Sequence, residues 1–120
     1  MSETARLGFF VKLLVLDKDA SAAFYEKLGF TRVGSDGTFI HLRWEEHGDV
    51  MLVPAPTGVR IDGKRGLGIL LSFTSKTALE ELATRAGTAP MEGPDVKPWH
   101  TRELVVTDPD GYRLNFVTPA

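Results

Sequence analysis

Apolar and polar positions along the chain change period several times, and each change marks an element. "GFFVKLLV", residues 8–15, is a near-continuous apolar run of strand length. In "DKDASAAFYEKLGF" the spacing becomes helical: Ala20, Ala23, Phe24 and Leu28 share a face, Asp17 or Asp19 stands ready to cap, and Gly29 ends the helix. Three short strands follow in "FTRVGS", "TFIHLRW" and "DVMLVPA", separated by turn residues at "SDG" and "EEHG".

The second half repeats that order. "LGILLSF" is predicted as a strand, and "SKTALEELATRAG" carries Leu79, Leu82, Ala83 and Ala86 at helical spacing, closed by Gly87. A weaker strand near "TAPMEG" then precedes "RELVVT" and "YRLNFV". An offset of 63 lays "FIHLRWEEHGDVMLV" over "RELVVTDPDGYRLNF" with Gly48 on Gly111. The chain therefore reads as α+β, a single domain of two tandem βαβββ modules, about 8–54 and 67–118, with a Gly/Pro-rich linker at 55–66. Each module leaves one face of its curved mixed sheet bare, so the modules are expected to pair within the chain or across a dimer.

Composition narrows the chemistry. With no cysteine, thiolate zinc sites, iron–sulfur clusters, thiol nucleophiles and disulfides are excluded. The net charge is -2 and the 14 basic residues are scattered, so nucleic acid is not an expected partner. The N-terminal apolar run is too short for a membrane span, is broken by Lys12, and lacks a small-residue cleavage site. A cytoplasmic protein without membrane association is expected.

Several motifs resolve into structure. Asp108-Pro109-Asp110-Gly111 has the residues of a tight turn, and no glutamate follows to complete a calcium loop. "GVRIDGKR" approaches a phosphate-binding loop at Gly58, Gly63 and Lys64, but Arg65 replaces the Ser or Thr that would hold magnesium, and a strand follows where a helix is needed. Ser72 has no flanking glycines and no nucleophile elbow. Trp99, by contrast, sits in the polar loop "GPDVKPWHTRE", where a large aromatic must either cover a ligand or pack beneath the loop.

"LVLDKDASAAFYEKLGF" and "KPWHTRELVVTDPDGYRLNF", with the duplicated order, resemble the vicinal oxygen chelate superfamily over nearly the whole chain. That superfamily includes glyoxalase I, extradiol dioxygenases, fosfomycin resistance enzymes and bleomycin resistance proteins. The resemblance implies the glyoxalase/bleomycin resistance fold. In catalytic members one His, Glu or Gln from each of four strands holds a divalent ion. Motif spacing carries those positions onto Phe10 and Asn115, and the repeat carries them onto Leu52 and Leu70. Phenylalanine and leucine cannot ligate, so no metal and no cofactor are expected at that place.

The same resemblance makes the face in phase with Asn115 the concave one. It would carry Glu103, Val105, Thr107 and Arg113, and by the repeat Ile40, Leu42, Trp44, Val50 and Leu52; Phe10, Lys12, Leu70 and Ser72 would join from the first strand of each module. The implied function is metal-independent sequestration of a flat or amphipathic small molecule, as in antibiotic resistance, in a groove at a homodimer interface. Trp44, Trp99, Leu42, Leu52, Phe10, Lys12, Arg102, Glu103, Arg113 and Asn115 are the expected ligand-binding residues. Bleomycin resistance proteins have a similar Pro-Trp segment near their ligand groove; here His100 follows it where glycine is common. Two other readings stay open. One is a lyase, isomerase or dioxygenase with an atypical metal set drawn from His41, His47, His100 and Glu103; the other is a noncatalytic dimerisation module.

Overall fold

The computed structural model describes residues 7–60 and 67–120. The chain forms two units. Unit 1 contains β1 (Phe10–Val15), α1 (Lys18–Leu28), β2 (Thr31–Ser35), β3 (Ile40–Trp44) and β4 (Gly48–Pro54). Unit 2 contains β5 (Leu71–Thr74), α2 (Leu79–Ala86), β6 (Met91–Val96), β7 (Thr101–Thr107) and β8 (Arg113–Pro119). The strand orders are β1-β4-β3-β2 and β5-β8-β7-β6. In each unit the first strand runs parallel to the last, which requires the helix as a crossover, and the other pairings are antiparallel hairpins. The duplicated βαβββ order is therefore present. Among the described residues, no helix is long and apolar enough to cross a membrane.

Unit 1 takes its helix boundaries from local chemistry. The Asp17 carboxylate accepts from the Asp19 and Ala20 amides, both at 3.1 Å, a cap typically contributing about 1 kcal/mol. Gly29, at φ 124°, closes the helix with its N–H on the Tyr25 and Glu26 carbonyls. The buried face of α1 is Ser21, Ala22, Tyr25 and Leu28, one position round from the predicted stripe. Alanines mark both faces of this helix equally, so the large Tyr25 decides: it meets Phe30 edge-on at 5.1 Å, and Phe30 lies against Trp44 at 5.1 Å.

That aromatic chain assigns the faces of the sheet. Leu13, Val15, Ile40, Leu42, Trp44, Val50 and Leu52 alternate onto the α1 side and are all at most 3% exposed. Phe10, Lys12, His41, Arg43, Asp49 and Met51 point the other way.

Unit 2 follows the same plan. Leu79, Leu82 and Ala86 of α2 cover Leu104, Val106, Leu114 and Phe116, and Phe73 stacks on Phe116 at 5.8 Å. Strand β5 is shorter than predicted, beginning at Leu71, because Gly68 sits at φ 84° and breaks the extended run. The turn after β7 matches its residues: Asp108 accepts from the Asp110 and Tyr112 amides at 2.9 and 2.8 Å, and Gly111 takes φ 93°.

The offset between units differs from the sequence alignment by one. Arg43 pairs with Asp49 and Thr107 with Arg113, both pairs facing away from the helices, so the structural offset is 64. Gly48 belongs to β4 and Gly111 to a turn, so the two glycines are not equivalent. A one-residue slip moves every side chain of a strand to the other face.

Candidate functional site

The face of the second sheet turned away from α2 carries a polar cluster on aliphatic ground. β7 contributes Glu103, Val105 and Thr107, β8 contributes Arg113, Asn115 and Val117, and Ser72 of β5 stands directly beside Asn115. Glu103 and Asn115 are buried despite their polarity, at 9% and 3% exposure. Buried polar groups persist when their hydrogen bonds are supplied.

A tight turn supplies two of those bonds. In "KPWHT" the His100 amide donates to the Lys97 carbonyl at 3.0 Å and the Lys97 amide to the Thr101 carbonyl at 2.7 Å, with Pro98 at the second turn position. His100 follows at φ 69°, the left-handed place where such hairpins usually put glycine. The turn folds Trp99 back so that its Nε1–H donates to Glu103 Oε2 at 2.8 Å while the ring stays 62% exposed. The Thr101 hydroxyl donates to the same oxygen at 2.6 Å. Asn115 Nδ2 donates to Glu103 Oε1 at 3.0 Å and to Ser72 Oγ at 3.1 Å.

Both carboxylate oxygens of Glu103 thus accept from neutral donors. The Thr101 hydroxyl first, then the Trp99 N–H, hold its carboxyl below the ordinary glutamate range against the opposing effect of burial; Asn115 and the charge of Lys97 add to them. A carboxylate held this way is a poor proton acceptor and a good fixed charge. It can orient a guest, and it is ill suited to abstracting a proton. Behind it, Gly93 lets β6 approach closely: a Cβ there would lie 2.5 Å from the Glu103 carbonyl oxygen, and its φ is 92°. The strand is irregular between Glu92 and Asp95 at this point.

The expected arginines divide. Arg113 lies on this face and is tied to Glu92. Arg102, also expected to bind ligand, alternates to the α2 side and bonds Glu80 of that helix, so it lies on the opposite face from Glu103.

Unit 1 requires a larger correction. Leu42, Leu52 and Trp44 belong to the α1 core and are removed from the face that bears Phe10 and Lys12, because the true offset is 64. Met51, and not Leu52, corresponds to Asn115, and Leu70 precedes its strand. The helix-free face of the first sheet instead holds a buried ionic group that the sequence reading missed: His41 Nε2 lies 2.8 Å from Asp49 Oδ1, and Arg43 Nε donates to the same oxygen at 2.7 Å. Arg43 and Asp49 are opposite charges on directly paired residues, the signal that could have found them. Thr101 was missed as well, although a hydroxyl two residues from a buried carboxylate on one strand face is a natural donor.

The three histidines are differently engaged. His41 is fully buried against Asp49, His47 is exposed in the β3–β4 turn beside Glu46, and His100 shapes the Trp99 loop. Among the described residues, no group of three or more His, Cys, Asp or Glu is gathered closely enough to hold a metal ion.

Two tandem βαβββ units, each with a four-stranded mixed sheet, are the architecture of the glyoxalase/bleomycin resistance fold. The chain belongs to the Glyoxalase/Bleomycin resistance protein/Dioxygenase superfamily, whose family model matches residues 6–116. No curated protein sequence matches it.

Solved structures share the fold. A bleomycin-binding protein complexed with bleomycin superposes with a TM-score of 0.67 at 21% identity, over 94% of this chain and 98% of that one. A bleomycin resistance determinant encoded on the transposon Tn5 gives 0.67 at 23% identity, over 93% and 97%. An antibiotic-binding protein from Streptomyces sp. CB03234 gives 0.69 at 18% identity, over 96% and 98%.

Proposed function

We propose that the protein binds and sequesters a flat or amphipathic small molecule without a metal, in a groove at a homodimer interface. The observation that carries this reading is the Trp99–Glu103–Asn115 cluster. An indole ring is held largely exposed by an N–H bond to a carboxylate that is itself locked by Thr101 and Asn115. A flat guest gains area by stacking on that ring, and the polar groups beside it fix orientation, which is the ordinary make-up of a small-molecule site.

Bleomycin-binding and antibiotic-binding proteins of the same fold support the ligand class. In this reading Trp99, Glu103 and Asn115 touch the guest, Arg113 with Glu92 borders it, and Phe10 and Lys12 offer a second surface. Leu42, Leu52 and Trp44 act only by holding the core, and Arg102 by tying β7 to α2. Apolar residues flanking the edge strands β1 and β5, namely Phe9, Leu16, Leu67 and Ile69, are exposed, and this supports burial against a second copy.

The test uses the protein's two tryptophans. Trp44→Phe leaves Trp99 as sole reporter, and titration with bleomycin and a panel of planar aromatic antibiotics is expected to change its emission saturably. The change should persist in excess chelator. No response to any member of the panel contradicts the reading. Sedimentation equilibrium is expected to return twice the 13.2 kDa chain mass.

A further inference from the structure

Two buried side-chain atoms have no hydrogen-bond partner among the described residues: Asn115 Oδ1 and His41 Nδ1. Each lies on the helix-free face of its own sheet, and each belongs to a group whose other heteroatom faces a carboxylate. Asn115 commits its Nδ2 to Glu103 Oε1 and Ser72 Oγ. The opposite amide orientation would press Oδ1 against the Glu103 carboxylate, an acceptor against an anion, so the charge of Glu103 dictates which end of the amide is left over. His41 has a similar arrangement, its Nε2 beside Asp49 Oδ1 and its Nδ1 without a partner among the described residues.

The two devices occupy corresponding cross-strand pairs, His41↔Met51 in unit 1 and Val105↔Asn115 in unit 2. In both, the atom beside the carboxylate is engaged and the other end of the group is left without a partner; in Asn115 that end is an acceptor. A buried acceptor without a donor is destabilising, and a guest that brings the donor relieves it.

We infer that the site selects guests by hydrogen-bond polarity: it takes planar molecules that offer an N–H or O–H donor to Asn115 Oδ1, and it discriminates against isosteres that place an acceptor there. Asn115 is the specificity-determining contact, Ser72 is a positioning residue that holds its amide, and Glu103, itself in contact with the guest, holds that amide as well. This deepens the binding reading and rests on it. A site built to pair with a donor rejects the analogue lacking one far more strongly than a merely apolar pocket distinguishes shapes.

Indole and benzofuran test the inference, because they share size and shape and differ in N–H against O. Their dissociation constants are measured by NMR titration of the intact protein, following the Trp99 indole and Asn115 side-chain amide signals. Indole is expected to bind about 10-fold tighter, the worth of one hydrogen bond. Asn115→Leu, checked for fold by its thermal melt, should bring the ratio close to one by weakening indole more than benzofuran. Glu103→Gln allows the amide to turn over, so it should shrink the ratio by weakening indole more than benzofuran; a purely structural role would weaken both probes in proportion and leave the ratio unchanged. Equal binding of the two probes by the unsubstituted protein overturns the inference and leaves the binding reading standing, as does a 10-fold preference that survives Asn115→Leu. Binding of neither probe overturns both.

Discussion

Glu103 keeps its charge in a buried place because Trp99, Thr101 and Asn115 each donate to it. Its folded pKa is depressed relative to the unfolded chain, so its contribution to stability is fully present above the ordinary glutamate value of about 4.3 and is lost as pH falls through the lower folded value. Glu103→Gln should therefore flatten the acid limb of stability against pH, read from urea melts at neutral and acidic pH; an unchanged acid limb would show that these bonds do not favour the charged form. The two tryptophans should part company in the same way. Trp44→Ala opens the unit 1 core and is expected to cost about 3–5 kcal/mol in chemical denaturation. Trp99→Ala removes one hydrogen bond and an exposed ring and is expected to cost about 1 kcal/mol, with its main effect on ligand affinity.

The β6–β7 hairpin is the element that builds the site. It holds a non-glycine residue at positive φ, His100, and a glycine that nothing larger can replace, Gly93. His100→Gly relieves a left-handed backbone and is expected to leave the melting temperature unchanged or raise it, by up to about 1 kcal/mol in stability. Gly93→Ala places a methyl 2.5 Å from the Glu103 carbonyl on a backbone of φ 92°, and should lower stability by about 2 kcal/mol or more while loosening the Trp99 anchor. A Gly93→Ala protein as stable as the parent would mean that β6 does not press on β7 in solution. Gly93 stands in a stretch that the hydrophobic pattern described poorly. "TAPMEGPDV" has no alternation because its irregular pairing interrupts the period, so the strand was legible only as a weak one.

At the scale of the molecule, the duplicated βαβββ order was legible because the glycine that ends each helix and the apolar spacing agree at both copies. That Glu103, Asn115 and Arg113 share a face was legible because strand alternation holds within the β7–β8 hairpin itself, whereas Trp99 was marked only by standing in a polar loop. Trp44, Leu42 and Leu52 were misplaced because their facing was transferred between copies through Gly48 and Gly111, which stand one position apart in otherwise equivalent hairpins. The bonds of Asn115 to Ser72, 43 positions away, and of Arg102 to Glu80 join strands and helices that pattern alone does not bring together. The exposed apolar residues beside β1 and β5 belong to this scale too: Leu16→Lys with Ile69→Lys is expected to yield a folded monomer by sedimentation, and a persisting dimer would place the interface elsewhere.

Binding at the Trp99 face without a metal is tested most directly by the fluorescence of the Trp44→Phe protein titrated with planar aromatic antibiotics in chelator. A saturable change in Trp99 emission, abolished by replacing Asn115 and Glu103 together in a protein that still melts cooperatively, is the expected result. Emission that stays flat for every compound, or that responds only after a divalent metal is restored, would contradict it.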